Sequence, residues 1–171
     1  MPVTQAFLSE FEHEAKTTRR VLERVPSDKL SWKPHPKSMS LGQLALHVAS
    51  APGVICGWAT QDVTELGGGN TAPDPASTEE IMAAHDKSVT EVRRILEGFT
   101  DEDCNKSWQA KAKGTSMSMM TMPKVALLRA LALNHTYHHR GQLSVYLRLL
   151  DVPVPSIYGP SADENPFAAR T

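Results

Sequence analysis

Apolar residues recur at intervals of three and four in four long stretches of this chain, and this spacing constrains the fold more than any other sequence feature. The stretches cover residues 5–25, 40–58, 77–99 and 123–150. Such spacing places the apolar side chains on one face of a helix. We therefore predict four long helices that bury their apolar faces against one another.

Prolines and glycines separate these stretches. Pro26 ends the first helix because the residue before a proline avoids the helical region. The glycine-rich residues 67–70 predict a loop, and Pro153 and Pro155 prevent the fourth helix from continuing. Pro52 falls inside the second helix and predicts a kink or a local break there.

Two helix starts carry a local signal. Ser40 with Gln43, and Ser77 with Glu80, have the spacing of a capping box, in which the side chains of two residues three apart satisfy backbone N–H groups. These pairs predict that the second and third helices begin at Ser40 and Ser77.

Residues 100–122 lack the helical spacing. Within them, residues 115–121 are β-branched and rich in methionine, which predicts a short hairpin arm. The sequence thus predicts an all-α protein: a four-helix bundle with a short irregular or hairpin insert before the last helix. At this length we expect residues 1–171 to form a single domain.

Composition argues against several classes of function. The formal net charge of −1 provides no positive field for nucleic acid. No apolar run reaches the roughly 18 residues of a membrane span, and the N-terminus lacks the pattern of a signal peptide. Cys56 and Cys104 form no close-spaced motif, and Cys56 is expected to pack as a small apolar residue. We expect a reduced, cytoplasmic protein without nucleic-acid or membrane partners.

Polar residues interrupt the apolar stripe of the fourth helix. A buried polar stretch is costly unless its groups are paired or bind something. His135 and His139 are four residues apart, so they lie one turn apart on one face and can both reach a metal ion at about 2.0–2.1 Å. The stripe consists of Leu128, Leu131, His135, His139, Gln142, Tyr146 and Leu150.

A third ligand is offered by His47, which lies between Leu44 and Ala51 at the edge of the second helix's apolar stripe. Bundle sites are commonly built from side chains on facing helices. Three imidazoles leave coordination positions open, which suits catalysis better than a closed structural site. Neutral nitrogen ligands suit zinc, nickel, copper or iron, and spacing does not choose among them.

Each of these residues also has a purely structural interpretation. A His-x3-His pair on a helix is usually not a metal site. His85 faces the core by its spacing, either as a hydrogen-bonded core residue or as a fourth ligand or base. His138 either supports the site or lies on the surface, and Gln142 either orients a ligand or caps a buried carbonyl. His13 and His35 are expected on the surface.

Two stretches stand out, SWKPHPKSMSLGQLALHVAS at residues 31–50 and LNHTYHHRGQLSVYLRLL at residues 133–150. Together with the tail VPVPSIYGPSADE at residues 152–164, they resemble the DinB/YfiT-like family of metal-binding four-helix bundles. Helix order and length agree, so the resemblance covers nearly the whole chain. Carried over by position, the family's metal triad falls on His47, His135 and His139.

The resemblance implies a divalent metal, with nickel or zinc ahead of iron or manganese, and a homodimer. Characterised family members include thiol-dependent transferases and isomerases that use low-molecular-weight thiols such as bacillithiol or mycothiol. Others have no known activity, and many are labelled only as damage-inducible proteins or metal-dependent hydrolases.

We therefore expect an enzyme that activates a small thiol or water at a three-histidine metal site and acts on a small-molecule substrate. No HExxH motif or obvious nucleophile motif is present, which fits a nucleophile brought by a thiol cosubstrate. The alternative is a non-catalytic metal-binding bundle that serves in stress response or ligand binding.

Overall fold

The computed structural model describes residues 2–67 and 73–168. In those residues the chain forms five helices, a short 3-10 turn at Ser27–Lys29 and a three-stranded mixed sheet. The predicted all-α four-helix bundle is therefore wrong, because the segment before the last helix belongs to a sheet rather than to a small insert. The helices are α1 (Val3–Leu22), α2 (Leu41–Ala59), α3 (Thr78–Glu97), α4 (Asp101–Asn105) and α5, which joins Lys124–Leu127, Leu128–Asn134 and His135–Leu149.

The long helices keep the predicted order. Apolar side chains cover most of α2, which packs against α3 on one side and against α5 on the other, while α1 packs mainly against α3. The core therefore lies between these four helices. The predicted helical stretches at residues 5–25, 40–58, 77–99 and 123–150 all correspond to helices of the structure.

The two predicted helix starts differ in their hydrogen bonds. At α2 the capping box is complete: the Ser40 hydroxyl accepts the Gln43 N–H at 3.0 Å, and the Gln43 side chain accepts the Ser40 N–H at 3.0 Å. At α3, Ser77 accepts the N–H of Glu80, but the Glu80 carboxylate accepts the N–H of Ala76 instead. The prediction for α3 is therefore right about where the helix starts and wrong about the reciprocal hydrogen bond of the capping box.

Helix α2 continues through Pro52, which has no N–H to donate within the helix. The next residue, Gly53, donates its N–H to Ser88 Oγ on α3 at 2.8 Å. A Cβ atom at position 53 would lie 2.9 Å from Ser88 Cα, so only glycine allows the two helices to approach this closely. Because α2 is continuous from Leu41 to Ala59, the local break predicted at Pro52 is wrong, and the kink stays a prediction.

The sheet consists of β1 (Val63–Leu66), β2 (Ser107–Ala112) and β3 (Ser118–Pro123). β1 runs parallel to β2, and β2 runs antiparallel to β3, so the arm expected at residues 115–121 overlaps the outer strand of a larger sheet. Trp108 of β2 is fully buried. Its indole stacks on Trp58 of α2 with centroids 6.2 Å apart and donates to Thr64 Oγ1 on β1 at 2.9 Å. These contacts attach the sheet to the bundle.

The C-terminal tail is held by a buried ion pair. Arg140 on α5 is 1% exposed, and its Nη2 lies 2.7 Å from Glu14 Oε2 on α1. The same guanidinium donates to Thr18 Oγ1 at 3.0 Å and to the Tyr158 hydroxyl at 2.6 Å. The Tyr158 hydroxyl donates in turn to Glu14 at 2.8 Å. One guanidinium thus joins α1, α5 and the tail.

Some predictions fall partly outside the described residues. The predicted loop at residues 67–70 lies partly outside them, since residues 68–72 are not described. That residues 1–171 form a single domain stays a prediction. None of the helices described is long and apolar enough to cross a membrane.

Removing the buried carboxylate is expected to destabilise the protein strongly. Glu14→Gln leaves the Arg140 charge buried without its counter-charge, so we expect the free energy of unfolding to fall by about 3 kcal/mol or more in urea denaturation. The matched control is Glu12→Gln, which breaks an exposed pair with Arg93 and should cost less than about 1 kcal/mol. Equal losses in the two variants would contradict this account.

Candidate metal centre

Three histidines from two helices converge on one point. His135 Nε2 lies 3.4 Å from His47 Nε2 and 2.9 Å from His139 Nε2. The ligand atoms of all three lie within 4.8 Å of one another. The structure thus brings together the three residues predicted as ligands, in a group that could bind a metal ion.

The spacing of these nitrogens fits a single ion. A tetrahedral ion with bonds of 2.0–2.1 Å places its ligand atoms about 3.4 Å apart. The His47–His135 separation has this value, and the His135–His139 pair needs to open by only about half an ångström. Each pair of rings is close to perpendicular, at 89°, so the rings approach the common point from different directions.

The electrostatics favour neutral imidazoles. Burial is the main cause that lowers the pKa of His47 and of His139. Burial, together with the neighbouring His139, His47 and His138, lowers the pKa of His135 to about 4. Since only a neutral imidazole has a lone pair for a metal, these three side chains are in the ligating form at neutral pH.

The backbone of α5 determines where the rings of His135 and His139 point. Leu128–Asn134 is π-helical, and the N–H of His135 bonds to the carbonyl of Ala130, five residues earlier. A π segment contains an extra residue within its turn and so rotates everything after it relative to a regular helix. The buried positions after the π segment begin at Thr136 and continue through Arg140, Leu143 and Leu147.

The predicted inner face of this helix is therefore wrong after the π segment. His135 and His139 lie one residue before the buried positions Thr136 and Arg140, on a half-buried shoulder that faces α2. Tyr146 and Leu150 are also only half-buried, and Gln142 is exposed. A regular 3.6-residue period cannot reveal this rotation.

Two further predicted residues adjoin the three histidines. Gln142 Oε1 lies 2.8 Å from His139 Nδ1, so Gln142 contacts one of the predicted ligands. His138 is exposed, and its ring contacts that of His139 with centroids 4.8 Å apart.

The remaining candidates lie elsewhere. His85 is buried on α3, lines a core cavity with Glu14 and Ser88, and does not join the three histidines. His13 and His35 are exposed, as predicted. Cys56 is buried, and burial raises the pKa of its thiol to about 12, which fits its predicted role as a packing residue.

Sequence reasoning missed an aromatic pair near this surface. Tyr146 lies one turn after Gln142 on the same face of α5, and its hydroxyl donates to the carbonyl of Met39 at 3.4 Å. The ring of Trp32, from the connector before α2, meets the Tyr146 ring edge-on at 5.7 Å. The position of Tyr146 in the polar stripe of α5 was the one available signal.

The fold and the cluster define a helical protein with a small mixed sheet and three histidines that could hold one metal ion. The chain belongs to the DinB family, whose sequence model matches residues 1–166. This confirms the family resemblance seen in the sequence. The assignment of the three histidines as metal ligands stays a prediction.

Similar proteins agree with this family membership. The chain is 29% identical over 159 residues to the uncharacterized protein YrdA of Bacillus subtilis (strain 168), a match that covers 92% of this chain and 89% of YrdA. The crystal structure of a DinB-like protein from Bacillus cereus ATCC 10987 superposes with a TM-score of 0.70 at 26% identity, covering 90% of this chain and 97% of that one.

A second relative supports the same fold. The crystal structure of the DinB-like protein YjoA from Bacillus subtilis superposes with a TM-score of 0.64 at 23% identity, covering 85% of this chain and 92% of YjoA.

Metal content tests the three-histidine site directly. We expect untagged protein to hold one divalent ion per chain in elemental analysis. His47→Ala, His135→Ala and His139→Ala should each reduce it severely because each removes one of the three ligands. His138→Ala is the matched control, since it removes a neighbouring imidazole outside the cluster. Stoichiometric metal in any of the three alanine variants at ligand positions would contradict the site.

His85 should contribute to acid sensitivity independently of the three histidines. Burial lowers its pKa below the ordinary value of 6.5; Asp86 opposes this shift and Arg19 adds to it. The unfolded chain therefore takes up more protons than the folded one as the pH falls below 6.5, and stability present above that pH is lost.

Urea denaturation of metal-free protein at several pH values measures this loss. We expect His85→Gln to lose less stability than the wild type as the pH falls below 6.5. The other histidines contribute equally to both proteins, so the difference isolates His85. The same pH dependence in both proteins would contradict the assignment.

Proposed function

We propose that this protein is a metal-dependent enzyme that activates a small thiol for transfer to an electrophilic small molecule. The observation that carries the proposal is the convergence of three neutral imidazole nitrogens on a half-buried surface between α2 and α5. Family membership and this cluster fit a metal-binding DinB-like protein. The thiol chemistry is the further step proposed here.

The donor set suits a divalent ion of intermediate softness. Imidazole nitrogens bind zinc, nickel, copper and iron well, and we propose nickel or zinc first, with iron or manganese next. His47, His135 and His139 would hold the ion with their Nε2 atoms. When bound, a divalent cation favours the thiolate or hydroxide over the neutral form and so supplies a nucleophile at neutral pH.

The residues around the cluster favour a thiol over water as the nucleophile. In residues 2–67 and 73–168, no carboxylate or cysteine joins the three histidines as a ligand group. Hydrolysis usually needs a protein base to take a proton from water. A thiol loses its proton more readily than water and arrives with the cosubstrate, so the protein needs to supply only the binding site.

The shape of the site fits a small substrate. All three histidine rings are half-buried, so one side of the cluster is covered by α2 and α5 and the other is open. Trp32 and Tyr146 offer an aromatic edge about two turns beyond His139 along α5. We propose that the electrophile approaches from the open side, along this edge.

Other expectations about partners stay predictions. The net charge of −1 still argues against nucleic acid, and the expected homodimer and cytoplasmic location rest on the sequence alone.

A conjugation assay tests the proposed chemistry. Purified protein is incubated with an electrophile and each of a panel of small thiols, bacillithiol and mycothiol among them, with and without a chelator. We expect turnover with at least one thiol, lost with chelator and in His139→Ala because both remove the metal. His138→Ala should retain it.

The outcomes separate the candidate functions. Metal binding without turnover with any thiol would contradict the transferase proposal and favour the non-catalytic alternative. Metal-dependent hydrolysis of ester or amide substrates without thiol dependence would instead support water as the nucleophile.

A further inference from the structure

Among the described residues, Gln142 is the one side chain outside the three-histidine cluster that forms a hydrogen bond with His139. Its Oε1 atom lies 2.8 Å from His139 Nδ1. Gln142 is exposed on α5, three residues after His139, so the two side chains lie on the same face of the helix. This contact is made on the ring nitrogen opposite to the one that faces the other histidines.

This hydrogen bond determines the tautomer of His139. A carbonyl oxygen only accepts, so His139 must carry its hydrogen on Nδ1. The lone pair is then on Nε2, which lies 2.9 Å from His135 Nε2 and faces the centre of the cluster. An amide nitrogen in the place of Oε1 would select the opposite tautomer and direct an N–H into the cluster.

The partner histidine lacks such a support. Nδ1 of His135 is buried and has no hydrogen-bond partner among the described residues. Two imidazole nitrogens at 2.9 Å repel each other when both direct lone pairs at one another, so a hydrogen or a cation has to lie between them. Gln142 keeps the hydrogen of His139 on Nδ1. His139 Nε2 therefore offers its lone pair either to a hydrogen on His135 Nε2 or to a cation.

We propose that Gln142 is a positioning residue that fixes the metal-ligating tautomer of His139, so that metal affinity depends on the acceptor oxygen at position 142. This inference rests on the proposed metal site, but the tautomer itself is a property of the metal-free protein. Gln142 acts through His139 and need not touch the ion or the substrate.

Three different side chains at position 142 separate this role from packing. Gln142→Glu keeps an oxygen that only accepts, and Gln142→Leu removes the acceptor. Gln142 is exposed, so both variants should fold, which circular dichroism checks. The matched controls are Gln5→Glu and Gln5→Leu, which make the same changes at an exposed position of α1.

Two measurements are made on each full-length protein. Long-range proton–nitrogen NMR of the chelator-treated protein reports which ring nitrogen of His139 carries hydrogen. Competition with a chromophoric chelator gives the affinity for Zn²⁺. We expect the wild type and Gln142→Glu to show hydrogen on Nδ1, and Gln142→Leu to lose this preference and bind Zn²⁺ about 10- to 100-fold more weakly.

Specific results would overturn the inference. The inference is wrong if the His139 tautomer is unchanged in Gln142→Leu, or if Gln142→Glu and Gln142→Leu lose Zn²⁺ affinity equally. It is also wrong if the Gln5 variants weaken Zn²⁺ binding as much as Gln142→Leu does. If the wild type binds no Zn²⁺, the proposed metal function fails, while the NMR tautomer still decides the role of Gln142.

Discussion

The arrangement around the candidate site depends on the interactions of the buried Arg140 guanidinium. A guanidinium that is 1% exposed needs a counter-charge and several acceptors, and it finds them in Glu14, Thr18 and Tyr158. These partners come from α1 and from the tail, whereas Arg140 belongs to α5 directly after His139. Satisfying this one side chain therefore fixes the rotation of α5 and the path of the tail together.

Local signals in the sequence were sufficient for the helices but not for the sheet. The spacing of apolar residues and the Ser40–Gln43 cap depend on neighbours within a few positions, so they can be recognised in the chain itself. Strand β1 has only four residues and pairs with β2, which follows two intervening helices. Its existence depends on a distant partner, which no local pattern encodes.

The same difference between local and distant signals explains why the candidate site was predicted only in part. His135 and His139 are neighbours on one helix, so their spacing indicated a pair, and the family resemblance added His47 from α2. The π-helical turn before His135 was not predictable, because its leucine, alanine and arginine residues, followed by a single asparagine, also suit a regular helix. Its effect appears only in which residues become buried after it, with Arg140 in the core and His139 beside it.

The π-helical turn has a consequence for how the site exchanges its contents with solvent. Continued at 3.6 residues per turn from Leu127 and Leu128, a regular helix would direct His135 into the core, where its ring would be sealed between helices. The extra residue turns the helix by about 100° and brings the ring to the shoulder. The half-buried ring is then reachable from solvent while the bundle stays closed, so an ion held at the proposed site would exchange without an opening motion of the fold.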